Sequence, residues 1–179
     1  MLLKIITTPH TILTVHAKPV KKFDNKLMRL VEDMQETLEA QHDPPGVGLA
    51  APQIDIPLQL FITKSSKKAP VRIYCNPKVL QTVNESAQVN SNEQDTRTKL
   101  EGCLSIPRIW GEVKRDEKIL LHYQTIDAKV REEWISGFEA IIVQHEIDHL
   151  QGVLFTHRVM EQKGEIFEEK DGSLVKTQL

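Results

Sequence analysis

Cysteine is scarce in this chain: Cys75 and Cys103 are the only two in 179 residues. Two thiols cannot form the framework that holds a disulfide-built protein, so stability has to come from a packed core. Few cysteines and no export signal point to a reducing compartment. Aromatic residues make up only 5%, which leaves few platforms for stacking single-stranded bases. Neither sign of charge is in excess, with 23 Lys plus Arg against 25 Asp plus Glu and a net charge of -2. That balance argues against a protein that works by neutralising many phosphates, and no specific nucleic-acid site is evident. No apolar run approaches the roughly 20 residues of a membrane span. The apolar start, Met1 to Ile6, stops at Thr7-Thr8-Pro9 and lacks the basic flank and cleavage site of a signal peptide. The expectation is a soluble, cytoplasmic protein without a membrane partner. The length suits one domain, residues 1–179, with a core of its own.

Proline is also missing from the C-terminal third, since all nine lie at or before Pro107. Upstream, Leu27, Leu30, Val31, Met34 and Leu38 recur at helical spacing after Asp24, a suitable N-cap. That helix must end before Pro44-Pro45. Leu58–Thr63 and Val71–Cys75 read as strands, with Cys75 as a core residue of the second. Residues 84–98 are nearly all polar and read as an exposed loop. Lys118–Ile126 and Lys129–Ile135 flank Asp127-Ala128 as a hairpin. A second helix opens at Ser136, where Glu139 three residues on fits a capping box, and Gly152 suits its end. Phe138, Ile141, Ile142, His145 and His149 share one stripe of it. Residues 160–179 read as a tail that is mobile, or that forms another hairpin around Asp171-Gly172 or a frayed helix. The fold class is α+β with mainly antiparallel sheet.

Three stretches carry chemistry. In His145-Glu146-Ile147-Asp148-His149 the two imidazoles stand one turn apart on a helix. They can hold one divalent metal, with Glu146 beside it as general base. Two helical histidines that merely meet at this spacing give the same pattern. A catalytic metal wants a third protein ligand, and Cys103 in Glu101-Gly102-Cys103-Leu104-Ser105 is the best candidate, unless it is an inert buried thiol. The third stretch, Gly46-Val47-Gly48-Leu49-Ala50-Ala51-Pro52-Gln53, lacks the Lys-Ser/Thr of a phosphate loop. It reads as a tight turn or as a place where a ligand backbone comes close. The Gln53 amide can donate to a developing oxyanion.

Taken together and in this order, the three stretches resemble peptide deformylase. That family shows Gly-x-Gly-x-Ala-Ala-x-Gln, Glu-Gly-Cys-Leu-Ser and Gln-His-Glu-x-Asp-His-Leu, and this chain matches every fixed position. Asn76-Pro77, Gly111-x-Val113-x-Arg115 and Gly152-x-Leu154-Phe155 extend the likeness. His157-Arg158 departs from it, since Asp-Arg is common there. The resemblance implies antiparallel sheets packed around a central helix that carries the His-Glu-x-x-His motif. It implies a cytoplasmic hydrolase that removes the formyl group from N-formylmethionyl nascent peptides and releases formate, with the ribosome near its exit as a candidate partner. Cys103, His145 and His149 would bind one divalent ion, Fe²⁺ physiologically, with Zn²⁺, Ni²⁺ or Co²⁺ able to substitute. A metal-bound water would attack the formyl carbon, with Glu146 as general base and acid. Gln53 and the Leu104 N–H would stabilise the oxyanion. Val47, Gly48, Gly102 and Ile142 would contact the substrate, with Val47 and Ile142 lining a methionine pocket. Arg115 either pairs with Glu101 to orient the Cys103 loop or is a surface charge. Two other readings use the same residues: a metallopeptidase, against which Cys103 speaks, and a deformylase-like protein with altered substrate or a non-catalytic peptide-binding role.

Overall fold

The computed structural model describes residues 1–42, 45–84 and 98–177. Its helices are α1 (Asn25–Glu39), α2 (Gly137–Leu150) and α3 (Phe155–Gln162). Its strands are β1 (Gly48–Ala50), β2 (Leu60–Thr63), β3 (Arg72–Val83), β4 (Thr98–Cys103), β5 (Ile106–Lys114), β6 (Lys118–Gln124), β7 (Val130–Ser136), β8 (Ile166–Lys170) and β9 (Ser173–Thr177). Every strand pair is antiparallel. A five-stranded sheet runs β1-β2-β3-β6-β7, and a four-stranded sheet runs β4-β5-β8-β9. No helix among the described residues is long and apolar enough to cross a membrane.

The five-stranded sheet is covered on both faces, and its sequence shows it. All four residues of β2 are buried rather than alternating. Leu60 and Ile62 face α1, packing with Leu27, Val31, Met34 and Leu38. Phe61 faces the other way, with Tyr74, Ile119 and Leu121, against Ala140, Val143 and Ile147 of α2. The four-stranded sheet packs one face on α3, where Val113 and Ile166 meet Phe155 and Val159. Helix α2 is therefore enclosed, with buried residues on all sides of it rather than on one stripe.

Local rules decide several boundaries. The Asp24 side chain accepts from the N–H groups of Lys26 and Leu27 and starts α1 as expected. The capping box at Ser136 does not form: the Ser136 side chain makes no cap bond. Glu139 instead accepts from Thr63 Oγ1 (2.5 Å) and Tyr74 Oη (3.3 Å), partners that only the folded sheet supplies. Phe138 also leaves the expected stripe and is exposed, because it sits at the open first turn of α2. The stretch expected as a tight turn splits: Gly48–Ala50 is a strand, and Ala51–Ile54 then closes in a single 3-10 turn. Residues 166–177 form the hairpin alternative, closing at Asp171-Gly172. The polar segment expected as a loop lies, from 85 to 97, outside the described residues.

Candidate active site

The site forms where the two sheets meet α2. Cys103 ends β4, and a register shift between Gly102 and Cys103 turns its side chain toward the helix. His145 and His149 stand one turn apart on α2, and their ligand atoms and Cys103 Sγ all lie within 4.8 Å of one another. Cys103 Sγ is 3.2 Å from His149 Nε2. The Ser105 N–H and Gln53 Nε2 also point at the sulfur, at 3.4 Å and 3.6 Å. Burial pushes the Cys103 thiol up, but the adjacent His149 and His145 imidazoles outweigh it and hold it well below the ordinary thiol value. A thiolate and two imidazoles suit a borderline or soft divalent metal.

His145 is fixed from behind. Its Nδ1 lies 2.9 Å from Glu101 Oε2, and Phe155 stacks on its ring at 6.2 Å. Glu101 in turn takes a two-pronged grip from Arg115, Nε to Oε1 at 2.8 Å and Nη2 to Oε2 at 2.9 Å. Of the two readings of Arg115, the ion pair is the one the structure contains, and both side chains are only 6% exposed. Burial raises the Glu101 carboxyl, but Arg115 and His145 bring it down to about 2.

Glu146 has the opposite setting. Its Oε2 is buried without a hydrogen-bond partner among the described residues, as is His149 Nδ1. Burial lifts the carboxyl to about 7, against the pull of the two imidazoles. An orphaned carboxylate oxygen beside a thiolate and two imidazoles fits a metal centre whose bound water needs a base. Gly48 makes room for it: a Cβ there would stand 2.2 Å from Glu146 Oε1.

These groups face a cavity of about 990 Å³. Val47, Gly48, Gln53, Gly102, Leu104, Ile142, His145 and Glu146 line it, so the expected site residues converge on one space. Cys103 also lines it, while His149 lies deeper, behind the cluster. Gln53 is held by Oε1, which accepts from the Ala50 N–H at 2.8 Å, while Nε2 donates to Ser105 Oγ at 3.1 Å. β1 and β4 are the edge strands of their sheets among the described residues, and both border the cavity. Trp110 packs over Gly102, where a Cβ would meet its ring at 2.9 Å.

Four residues in the site were not singled out from sequence: Ser105, Trp110, Asp148 and Arg158. Asp148 lies inside the His-Glu-x-x-His motif but turns away from the ligands, accepting from both Arg115 and Arg158. Its signal in the sequence was its fixed place in the Gln-His-Glu-x-Asp-His-Leu motif, which gave it no role.

One thiolate and two imidazoles that could hold a metal ion, with a carboxylate oxygen unpartnered among the described residues on an enclosed helix beside a large cleft, suit a metal-dependent α+β hydrolase. The family model described as polypeptide deformylase matches residues 2–165. A peptide deformylase of Desulfotalea psychrophila is 35% identical over 173 residues, covering 94% of each chain. The crystal structure of the Thermotoga maritima peptide deformylase has a TM-score of 0.76 and 34% identity, over 88% of this chain and 97% of that one. A class I type b peptide deformylase of Acinetobacter baumannii, solved with Met-Ala-Ser bound, has a TM-score of 0.73 and 32% identity, over 88% and 98%. The chain belongs to the polypeptide deformylase family, and it is an enzyme of that kind.

Proposed function

We propose that the whole chain is one catalytic domain. It removes the formyl group from N-formylmethionyl peptides as they leave the ribosome in the cytoplasm. The observation that carries this is the meeting of Cys103, His145 and His149 within 4.8 Å, with a buried Glu146 oxygen that has no partner among the described residues. Cys103 Sγ and one ring nitrogen from each histidine would hold a single divalent ion, Fe²⁺ in the cell, with Zn²⁺, Ni²⁺ or Co²⁺ able to replace it. When bound, such an ion makes water acidic enough to attack near neutral pH and polarises a carbonyl oxygen.

The chain's own residues do the rest. Glu146 accepts the proton of the attacking water and delivers it to the leaving amine. A carboxyl poised at about 7 is suited to both transfers. Gln53 has two amide hydrogens. One is committed to Ser105 Oγ, and the other, on the longer contact to Sγ, is the one the formyl oxygen would take. The Leu104 N–H, placed by its neighbour Cys103, supplies a second donor. An extended peptide adds to the β1 edge at Gly48 and passes Gly102 on the β4 side. Val47 and Ile142 line the space for the methionine side chain. The Met-Ala-Ser bound to the Acinetobacter enzyme supports a peptide in this cleft.

The test is formate release from a formyl-Met peptide by protein purified without oxygen and loaded with Fe²⁺. Turnover is expected with one metal per chain, and a metal-bound protein that releases no formate refutes the reading. No observation favours the non-catalytic alternative, since Glu146 and Gln53 are both present and both face the cavity.

A further inference from the structure

Behind His145 a line of alternating charges runs to the surface of α3. Glu101 meets Arg115, and Arg115 Nη1 donates to Asp148 Oδ2 at 2.6 Å. Asp148, 7% exposed, is gripped from its other side by Arg158, Nη2 to Oδ1 at 2.6 Å and Nε to Oδ2 at 3.1 Å. Helix α3 makes a second contact with the same line. Gln162 Oε1 accepts from the Lys114 N–H at 2.7 Å, and its Nε2 donates to the Lys114 carbonyl at 3.1 Å. On the far side of Arg115, Gln144 clamps the backbone of Asp116 in the same way, at 3.0 Å and 2.8 Å.

We propose that α3 is a brace for the metal centre, with Arg158 as a positioning residue for His145. This rests on the reading of Cys103, His145 and His149 as metal ligands. The route is physical contact throughout: Arg158 holds Asp148, Asp148 shares Arg115 with Glu101, and Glu101 fixes the His145 ring through Nδ1. A buried carboxylate that loses one guanidinium draws harder on the other. Without Arg158, Asp148 pulls Arg115 away from Glu101, and the imidazole loses the partner that sets its orientation. Glu161 also touches Arg158 at 3.1 Å, but that carboxylate is 61% exposed and holds nothing further, so its pair is a weak surface contact.

A second cavity, of about 440 Å³, borders Arg158, Asp148 and Arg115, and the Arg158 side chain is 30% exposed to solvent. Free guanidinium can therefore reach the place that Arg158→Ala would leave. The experiment loads each protein with Co²⁺ alone, records its visible spectrum, and times the passage of Co²⁺ to a coloured chelator. Arg158→Ala is expected to release Co²⁺ about 10-fold faster, the low end for a change beyond the direct ligands, with shifted bands. Added guanidinium should return both rate and bands toward those of the unaltered protein. Arg158→Lys keeps the charge without the fork, so it should fall between the two, and it serves if the alanine variant does not fold. Glu161→Ala should match the unaltered protein. Unchanged bands and release in Arg158→Ala, a faster release that guanidinium does not reverse, or an Arg158→Lys equal to the unaltered protein would each overturn the brace. An unaltered chain that takes up no Co²⁺ overturns the ligand reading itself, and the brace with it.

Discussion

Glu101 and Glu146 both feel the charge of His145 and are almost equally shut off from water, at 7% and 3% exposure. Their surroundings drive them apart. Glu101 sits in a line of paired charges, and its carboxyl is held at about 2. Glu146 faces the cavity with an oxygen that no group among the described residues satisfies, and burial lifts its carboxyl to about 7. Burial alone does not set the protonation of a carboxylate. What matters is whether a cation is fixed beside it, and here β4 supplies the paired carboxylate and α2 the unpaired one. The paired glutamate suits holding a ring still, and the unpaired one suits moving a proton.

The sharpest way to break this contrast is Glu146→Ala. Formate release should fall about 10²–10⁴-fold while the metal content stays at the unaltered level. Near-normal turnover would remove Glu146 from the proton transfers. Glu101→Gln attacks the other side. It strips Arg115 of its main counter-charge, so metal affinity should drop about 10–100-fold, read by chelator competition. Here the loss should appear in metal content first and recover partly at high metal concentration, which Glu146→Ala should not do.

Titration separates the pair in protein stripped of metal. Glu146 binds its proton more tightly folded than unfolded, so through this group stability falls as pH rises from 4.5 to about 7. Glu101 behaves oppositely, and through it stability is lost as pH falls from 4.5 toward about 2. Each span corresponds to about 3 kcal/mol. Urea unfolding of Glu146→Gln should therefore lack the loss in the upper window and keep that in the lower, with Glu101→Gln the reverse. The smallest effect belongs to Cys75, a buried group with no charge near it, whose thiol burial pushes up to about 11. Cys75→Ala should leave formate release unchanged and cost about 1–2 kcal/mol in unfolding experiments, because it only removes packing.

The difference between these residues also explains what the sequence made legible. The two histidines are set by one turn of helix, a local relation that spacing states outright. Neighbouring strands joined by short turns, such as β6 and β7, were legible for the same reason. Cys103 and Gln53 stood out by residue type and local context, but only the three motifs in order tied them to α2, since nothing local brings β4 and the residues after β1 to that helix. Gln162 carries no signal of that kind, and Arg158 has only the Arg of a common Asp-Arg pair, which says nothing of its partners. Their partners lie on other elements, and an arginine on a short helix looks the same in sequence whether it grips a buried carboxylate or points at water. The Ser136–Glu139 cap failed in the same way, because Thr63 and Tyr74, far along the chain, claimed the glutamate.

The two edge strands that border the cavity have one more consequence, and it concerns timing. An unpaired strand edge normally invites any passing strand to add to it. Here both β1 and β4 border one cleft, and a segment that pairs with such an edge has to be extended. A segment already folded into its own protein is no longer available in that form. On this reading the enzyme competes with its substrate's folding: each new chain gives it an interval to act, which closes when the first residues find their places.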